Sequence, residues 1–241
     1  VFASPGGEHE TALAGTGITP AALEASTSTD VAFGSGIIDS SSPSQDFSVI
    51  NNGAAPTAPL ATNITGQFAI LSDSCTGQTL NANESCTVSA RFEPSTSAGA
   101  KAGTLTISGT PGGSVDFMLS GTAVDKITVT PGPSHAVTDT IIGNTTSTDF
   151  TVRNNTADFG AVPRTIEQSI ASTTGAEWTI TNAENCPNFG EGTLAVNATC
   201  TLPVEFSPTG STGARSATLT VTGDGGAFAE TSITSNALPT P

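Results

Sequence analysis

The sequence predicts an all-β protein made of two tandem β-sandwiches, preceded by an extra N-terminal strand. Apolar residues alternate with Thr and Ser in short runs, as in CTVSARF at 86–92 and ATLTVTG at 217–223. Alternation of this kind over about 5–7 residues is typical of strands with one buried face. Clusters of Gly, Pro, Asn and Asp separate the runs, and no stretch has the periodicity of an amphipathic helix.

The two sandwiches follow from an internal duplication. Residues 85–109 align without a gap with residues 199–223, at an offset of 114, whereas residues 46–53 align with 149–156 at an offset of 103. The growing offset places insertions in the second copy. A repeat slightly longer than about 100 residues suits a sandwich of about seven strands. We therefore expect one sandwich over 28–124 and a second over 125–241.

The N-terminal segment, 1–27, contains a third copy of one strand only. GGEHETALAGTGI at 6–18 aligns with GGSVDFMLSGTAV at 112–124, and more loosely with AETSITSNAL at 229–238. The last two are predicted to be the closing strands of their sandwiches. The surplus strand is then either the tail of a preceding repeat or a strand donated to a neighbouring molecule. The candidate donor residues are Thr11, Leu13, Gly15 and Ile18.

The second sandwich is the expected acceptor of a donated strand. Its own closing segment, TSITSN at 231–236, is polar, which leaves the formation of that strand in doubt. Head-to-tail donation of a strand does not close on itself and therefore generates fibres.

The four cysteines predict one disulfide in each repeat, Cys75–Cys86 and Cys186–Cys200. Each pair occupies the same place in its copy, with a loop cysteine before a cysteine that enters a strand. Such a bond is expected to contribute about 3 kcal/mol by restricting the unfolded chain. A zinc site is the competing interpretation, but structural zinc sites use short Cys-x2–4-Cys spacings. Disulfides indicate an oxidising compartment, so we expect a secreted or cell-surface protein.

Composition and missing motifs argue against several functions. Six Lys and Arg face 21 Asp and Glu, for a net charge of −15, which disfavours nucleic acid and anionic membrane partners. No apolar run is long enough to span a bilayer. His9 and His135 are the only histidines, and no catalytic motif accompanies either, so we expect neither an enzyme nor a cofactor. The tripeptide Asp158–Gly160 copies a kinase motif but stands alone, and is assigned to chance.

A metal site is not expected. The acidic residues form no Asp-x-Asp-x-Asp-Gly loop, and calcium requires 6–8 clustered oxygen ligands. A calcium site at a domain junction, using Asp125 or Glu24, stays a minor alternative. The chain begins at Val1 without a recognisable signal peptide, so we expect that a signal was removed or that the chain is a piece of a longer protein.

The pattern of both copies resembles that of Hydin-like (ASH-type) immunoglobulin-like domains. It is most similar to the bacterial secreted type found in choice-of-anchor D proteins. The resemblance covers about residues 28–124 and 125–238. The matching positions are Phe47, Val49, Asn51, Cys75, Cys86, Phe92, Pro94, Leu105 and Ile107, and then Phe150, Val152, Asn154, Cys186, Cys200, Phe206, Pro208, Leu219 and Val221. The resemblance implies tandem immunoglobulin-like sandwiches and no catalytic residues.

Three functions remain in order of preference. The first is an extracellular stalk or spacer whose partners are neighbouring immunoglobulin-like repeats. The second is a filament subunit that self-associates through its N-terminal strand. The third is a carbohydrate- or ligand-binding sandwich with glycan contacts, which the scarcity of exposed-type aromatic residues disfavours: the chain has one Trp and no Tyr.

Overall fold

The computed structural model describes residues 12–172, 175–181, 186–187 and 192–241. Strands dominate these residues and confirm the all-β prediction. The first eight strands are β1 (Leu23–Ala25), β2 (Asp30–Ile37), β3 (Gln45–Asn51), β4 (Ala61–Ile64), β5 (Phe68–Asp73), β6 (Ser85–Phe92), β7 (Gly99–Gly109) and β8 (Gly113–Val124). The next nine are β9 (Ile127–Thr130), β10 (Ser134–Ala136), β11 (Thr140–Ile141), β12 (Thr146–Asn154), β13 (Ile166–Ser172), β14 (Trp178–Ile180), β15 (Thr199–Phe206), β16 (Gly213–Gly223) and β17 (Ala227–Leu238).

The first eight strands form two four-stranded sheets that enclose one hydrophobic core. The strand orders are β1-β3-β6-β5 and β2-β8-β7-β4. Apolar residues at alternate positions point into the space between the sheets, as the period of two predicts. Phe47 and Phe117 meet edge to face there, with ring centroids 5.2 Å apart. We call this unit the first sandwich.

The remaining strands form the second sandwich in the same way. Its sheets have the orders β14-β15-β12-β9 and β10-β17-β16-β13, and β11 also pairs with β17. A separate hydrophobic cluster lies between them. Trp178 is buried and stacks on Phe206 at 4.2 Å, whereas Phe68 packs on Phe92 at the matching place of the first core. The two clusters support two sandwiches, while the predicted domain boundaries at 27/28 and 124/125 stay predictions.

Both predicted disulfides are present. Cys75 bonds to Cys86, and Cys186 bonds to Cys200, so no cysteine is free. Cys86 and Cys200 each lie near the start of a central strand, and each bond fastens the preceding connection to its sheet. The zinc interpretation of the four cysteines is therefore wrong.

The doubt about the closing strand of the second sandwich is also wrong. β17 runs antiparallel to β16 over eleven residue pairs, and β10 and β11 pair with its other edge. Two of its inward residues are polar, but both have partners: the hydroxyl of buried Ser235 donates to Thr138 O at 3.0 Å, and that of Thr231 reaches Pro131 O at 3.4 Å. The sheet position that a donated closing strand was expected to fill is therefore occupied by the chain's own strand.

The N-terminal segment lies outside the sheets until β1. Of the candidate donor residues, Thr11 falls outside the described residues, and Leu13 and Ile18 are 94% and 64% exposed. Nothing approaches Gly15 on the side where a Cβ would lie. Residues 12–20 form no strand within this chain, so their pairing with another molecule stays a prediction. β1 lies within the predicted N-terminal segment 1–27, yet it pairs with β3 of the first sandwich.

A buried ion pair organises the connection between β15 and β16. Arg215 Nε donates to Glu177 Oε2 at 2.7 Å, and both side chains are about nine-tenths buried, with 10% and 6% exposed. The other guanidinium nitrogens donate to backbone carbonyls of this connection, including Ser211 O at 2.6 Å, and Glu177 accepts from Thr209 N at 2.8 Å. In the first sandwich a neutral amide has the same role, since Ser95 N donates to Gln67 Oε1 at 2.9 Å.

Candidate functional site

The two sandwiches touch through a short linker and a docked loop. Only Asp125 and Lys126 separate β8 from β9. The ammonium group of Lys126 donates to Asp39 Oδ2 in the first sandwich and to Gly225 O in the second, both at 2.6 Å. Because the Asp39 side chain is 59% exposed, solvent screens this ion pair and it contributes little by itself. A second, larger contact lies beside it.

Residues 155–161, the first part of the connection between β12 and β13, dock on the edge of β2. We call this segment the clamp loop. Asp158 Oδ2 accepts hydrogen bonds from the backbone N–H of Ser35 at 2.6 Å and from its hydroxyl at 3.0 Å. The backbone N–H of Asp158 in turn donates to Ser35 O at 2.9 Å. The bonds from the Ser35 backbone and hydroxyl hold the pKa of the Asp158 carboxyl below its ordinary value.

Phe159 of the clamp loop packs against the core of the first sandwich. Its ring stands edge-on to Phe92, with centroids 6.1 Å apart and an interplanar angle of 87°. The Phe159 carbonyl accepts from Ile37 N at 3.1 Å, and Phe159 forms a parallel bridge with Gly36. The clamp loop therefore adds one residue of backbone pairing, and one aromatic ring, to the edge of a sheet in the other sandwich.

The edge of β2 accepts the clamp loop because two glycines leave room for it. A Cβ on Gly36 would lie 2.1 Å from two ring carbons of Phe159. A Cβ on Gly34 would lie 2.5 Å from Asp158 Oδ2, and Gly34 has a φ of +77°, which favours glycine. The register of β2 also shifts between Ala32 and Ser35, so the strand bulges at this place and turns its polar groups outward. We call residues 34–37, from the bulge to the end of β2, the glycine notch.

A buried asparagine in each copy shows that the clamp loop is an insertion. Asn51 Nδ2 donates to Ala55 O and Leu80 O, and Asn154 Nδ2 donates to Val162 O and Leu194 O in the same way. Three residues, 52–54, lie between Asn51 and its first acceptor, but seven, 155–161, follow Asn154. The second loop is therefore four residues longer, and these extra residues include the part that docks.

The glycine notch likewise belongs to one copy. Gly36 pairs with Ala123 of β8, and the residue that pairs with the corresponding Ala237 of β17 is Thr140. Because a Cβ at Gly36 would lie 2.1 Å from the Phe159 ring, the Cβ of Thr140 leaves no room for a ring placed in the same way on the second sandwich. The donor loop and the acceptor notch thus occur once each, on the two surfaces that face each other.

These contact residues were not predicted. The tripeptide Asp158–Gly160 was assigned to chance, and the structure shows instead that Asp158 and Phe159 make the contact between the sandwiches. Two signals in the sequence point to this loop: the drift of the repeat offset, and a Gly-Ser-Gly run at 34–36 that the second copy lacks. The predicted disulfides have a structural role within each sandwich.

No metal centre is found in the described part of the chain. No group of three or more His, Cys, Asp or Glu side chains lies close enough there to hold an ion. Glu24 accepts from Asn52 Nδ2 at 2.6 Å, and the Asp125 carbonyl accepts from Asn155 Nδ2 at 2.9 Å. Among the described residues, therefore, neither Glu24 nor Asp125 belongs to such a group. The described residues also contain no helix long and apolar enough to cross a membrane.

Comparisons with known proteins find likeness in structure but not in sequence. No family model and no curated protein matches the chain. Among solved structures, the ASH/PapD-like domain of human CEP192 is 12% identical, with a TM-score of 0.33, covering 51% of this chain and 98% of that one. The secreted serine protease VesC from Vibrio cholerae is 17% identical, with a TM-score of 0.34, covering 84% of this chain and 51% of that one.

The E. coli chaperone DraB is 12% identical to the chain, with a TM-score of 0.31, and the alignment covers 88% of this chain and 95% of DraB. Similarity this low carries no argument about function, and the fold assignment rests on the sheets described above. The resemblance to ASH-type domains and the relation to choice-of-anchor D proteins stay predictions.

Proposed function

We propose that this chain is an extracellular structural module whose two sandwiches form a stiff spacer without catalytic activity. The observation that carries the proposal is the docking of Asp158 and Phe159 in the glycine notch. A linker of two residues limits how far the sandwiches can separate, but a single covalent connection still acts as a hinge. The clamp loop supplies a second attachment beside the linker, and two attachments restrict bending.

The disulfides and the charge are compatible with this role. One disulfide in each sandwich suits an oxidising environment outside the cytosol. The net charge of −15 favours a spacer over a surface that binds anionic partners. The resemblance to tandem domains of secreted bacterial proteins supports the same assignment.

Exchange of the clamp loop tests the proposal. In the test variant, residues 156–161 (TADFGA) are replaced by Gly-Ala, the shorter sequence found at 53–54 of the first copy. The first sandwich shows that the fold accepts a loop of this length. Cysteines are introduced at exposed positions of the two sandwiches, Ser114→Cys and Ser232→Cys, and carry spin labels. Double electron–electron resonance then measures the distance between the two labels.

The parent should give a narrow distance distribution and the loop-exchange variant a broad one. The matched control is Phe228→Ala, which removes a phenylalanine that is 55% exposed. It should leave the distribution narrow. Equal widths for the parent and the loop-exchange variant, with both folded, would reject the rigid-spacer proposal.

A second candidate function is favoured by one observation. The exposed side chains of Leu13 and Ile18 lie on a segment that resembles a closing strand but belongs to no sheet of this chain. Such a segment suits a filament subunit that pairs with a neighbouring molecule. Since β17 fills the expected acceptor position, this candidate requires a different acceptor.

A further inference from the structure

The second sandwich has an edge that corresponds to the docked edge of the first. Ile38 N donates to Val124 O after β2, and Ile142 N donates to Leu238 O after β11, both within hydrogen-bond distance at 2.9 and 3.0 Å. Strands β10 and β11 together are therefore the counterpart of β2. In β2 the preceding amide, that of Ile37, points outward and bonds to the clamp loop. Because successive amides of a strand alternate in direction, the N–H of Ile141 points outward as well.

This edge is broken where β2 bulges. β10 ends at Ala136 and β11 begins at Thr140, and Asp139 between them turns back to accept from Asn236 N at 2.9 Å. The break opens a groove of about 370 Å³ next to the edge. It is lined by Ala136, Val137 and Asp139 together with residues of β16 and β17. A groove of this volume holds an aliphatic side chain or a short stretch of small residues.

The segment of residues 12–18 (ALAGTGI) has the chemistry that this edge requires. Thr140 stands where the first sandwich has Gly36, and a Cβ at that position excludes a ring docked as Phe159 is. The segment offers only Ala, Gly and Thr around its exposed Leu13 and Ile18, and it carries no charge that Asp139 would repel. Its alignment with two closing strands shows that its sequence suits extended backbone.

The segment cannot reach this edge within one molecule. Thr19 O accepts from Ala54 N and Ala55 N, so the segment leaves the first sandwich at the end that bears the 52–54 loop. The 52–54 loop is the counterpart of the clamp loop. Because the clamp loop lies at the end of the second sandwich that faces the first, the 52–54 loop lies at the end of the first sandwich that faces away from the second. In the same way, the break between β10 and β11 is the counterpart of the notch. Because the notch lies at the end of the first sandwich that faces the second, the break lies at the end of the second sandwich that faces away from the first. A span of seven residues covers at most about 25 Å, less than one 12-residue strand of about 40 Å.

We propose that residues 12–18 of one copy of this chain dock on the β10–β11 edge of a second copy. The occupant lies parallel to β10 and β11, as Phe159 lies parallel to Gly36 in the first sandwich. Head and tail are different surfaces, so the contact is heterologous and adds copies in an open row. The inference goes beyond the stiff spacer and does not depend on the clamp loop, which stays intact in every variant below.

Light scattering over a concentration series tests the association. The average mass of the chain should rise with concentration, and Leu13→Asp and Ala136→Lys should each shift that rise to at least about tenfold higher concentration. The matched controls change similar exposed residues elsewhere. Leu71→Asp alters a leucine that is 56% exposed, and Ala32→Lys alters the counterpart of Ala136 in the first sandwich. Controls that behave like the two test variants, or a monomer at all concentrations, would overturn the proposal.

Cysteine crosslinking tests the pairing itself. One preparation carries Ala14→Cys and the other carries Ala136→Cys, and the four native cysteines are already paired. Mild oxidation of the mixture should yield a crosslinked pair of unlike chains. Replacing the second partner by Ala32→Cys should reduce the yield severalfold. Equal yields with Ala136→Cys and Ala32→Cys would show that the segment does not recognise this edge.

Discussion

A side chain added at Gly36 of the notch should break the contact between the sandwiches, because it would collide with the ring of Phe159. If Gly36 carried a Cβ, the three atoms nearest to it would all belong to the Phe159 ring, at 2.1, 2.1 and 3.0 Å. Gly36 has no left-handed φ, so alanine suits the backbone of β2 itself. We therefore expect Gly36→Ala to leave the first sandwich folded and to expel the ring.

The size of the effect follows from the burial of the ring. Full burial of a Phe side chain stabilises by about 1.5–3 kcal/mol, and Phe159 is only partly buried, which leaves about half. The edge-on contact with Phe92 adds about 0.5–1.5 kcal/mol. Together these give about 2 kcal/mol, or roughly a 30-fold change in the ratio of docked to undocked molecules. Phe159→Ala should therefore have about the same effect as Gly36→Ala.

The double variant separates this explanation from a general loss of stability. If both changes act by removing the same ring contact, Gly36→Ala together with Phe159→Ala should shift docking no further than either alone. The docked fraction is measured from the distance distribution between labels at positions 114 and 232, and thermal unfolding monitors the fold. Additive effects of the two changes would refute the reasoning, as would a loss of docking in Gly36→Ala that Phe159→Ala does not reproduce.

Three further outcomes are expected. Glu177→Ala should lower the free energy of unfolding of the second sandwich by about 3–5 kcal/mol, because it leaves buried Arg215 unpaired, whereas Glu177→Gln with Arg215→Lys, the residues of the first copy, should recover most of it in chemical denaturation. Docking by Asp158 should weaken as the pH falls below about 4. A carboxyl whose pKa is depressed by docking stabilises the docked state at pH values above its ordinary pKa and loses that contribution when it is protonated. Asp158→Asn should therefore abolish the pH dependence of the label distances. Asn51→Ala should lower the free energy of unfolding by roughly 2–4 kcal/mol in denaturant titration, because Asn51 bonds to four backbone groups, including those of Ala22 and Gly53, which would lose their partner. Asn52→Ala, at an exposed position, should lower it far less.

The sequence was sufficient for features that repeat or alternate. Period-two runs located the strands that carry Phe47 and Phe150, and equal placement of cysteine pairs predicted both disulfides. The closing strand of the second sandwich was misjudged because its inward residues, such as Thr231 and Ser235, are polar. Their hydroxyls bond to carbonyls of the segment before β11, a compensation between distant residues that no local pattern contains.

The contact site was beyond prediction for a related reason. Asp158 and Ser35 are 123 residues apart, and neither is unusual in its own surroundings. The repeat alignment shows that the second loop is longer, but not that its extra residues face a glycine notch in the other copy. That relation depends on how the linker orients the two sandwiches, which a comparison of each copy with the other does not specify.

The two copies differ at the surfaces where they meet. Their cores keep the same pattern, but the second copy carries the longer loop and the first carries the glycines that receive it. Where the second copy could have offered the same notch, it has Thr140, and where the first could have offered the same loop, it has only residues 52–54. Uniform stacking of identical repeats requires both surfaces on every copy. A donor on one copy and an acceptor on the other instead define a pair with a fixed order, so the spacer that we propose has the pair of sandwiches, rather than the single sandwich, as its stiff unit.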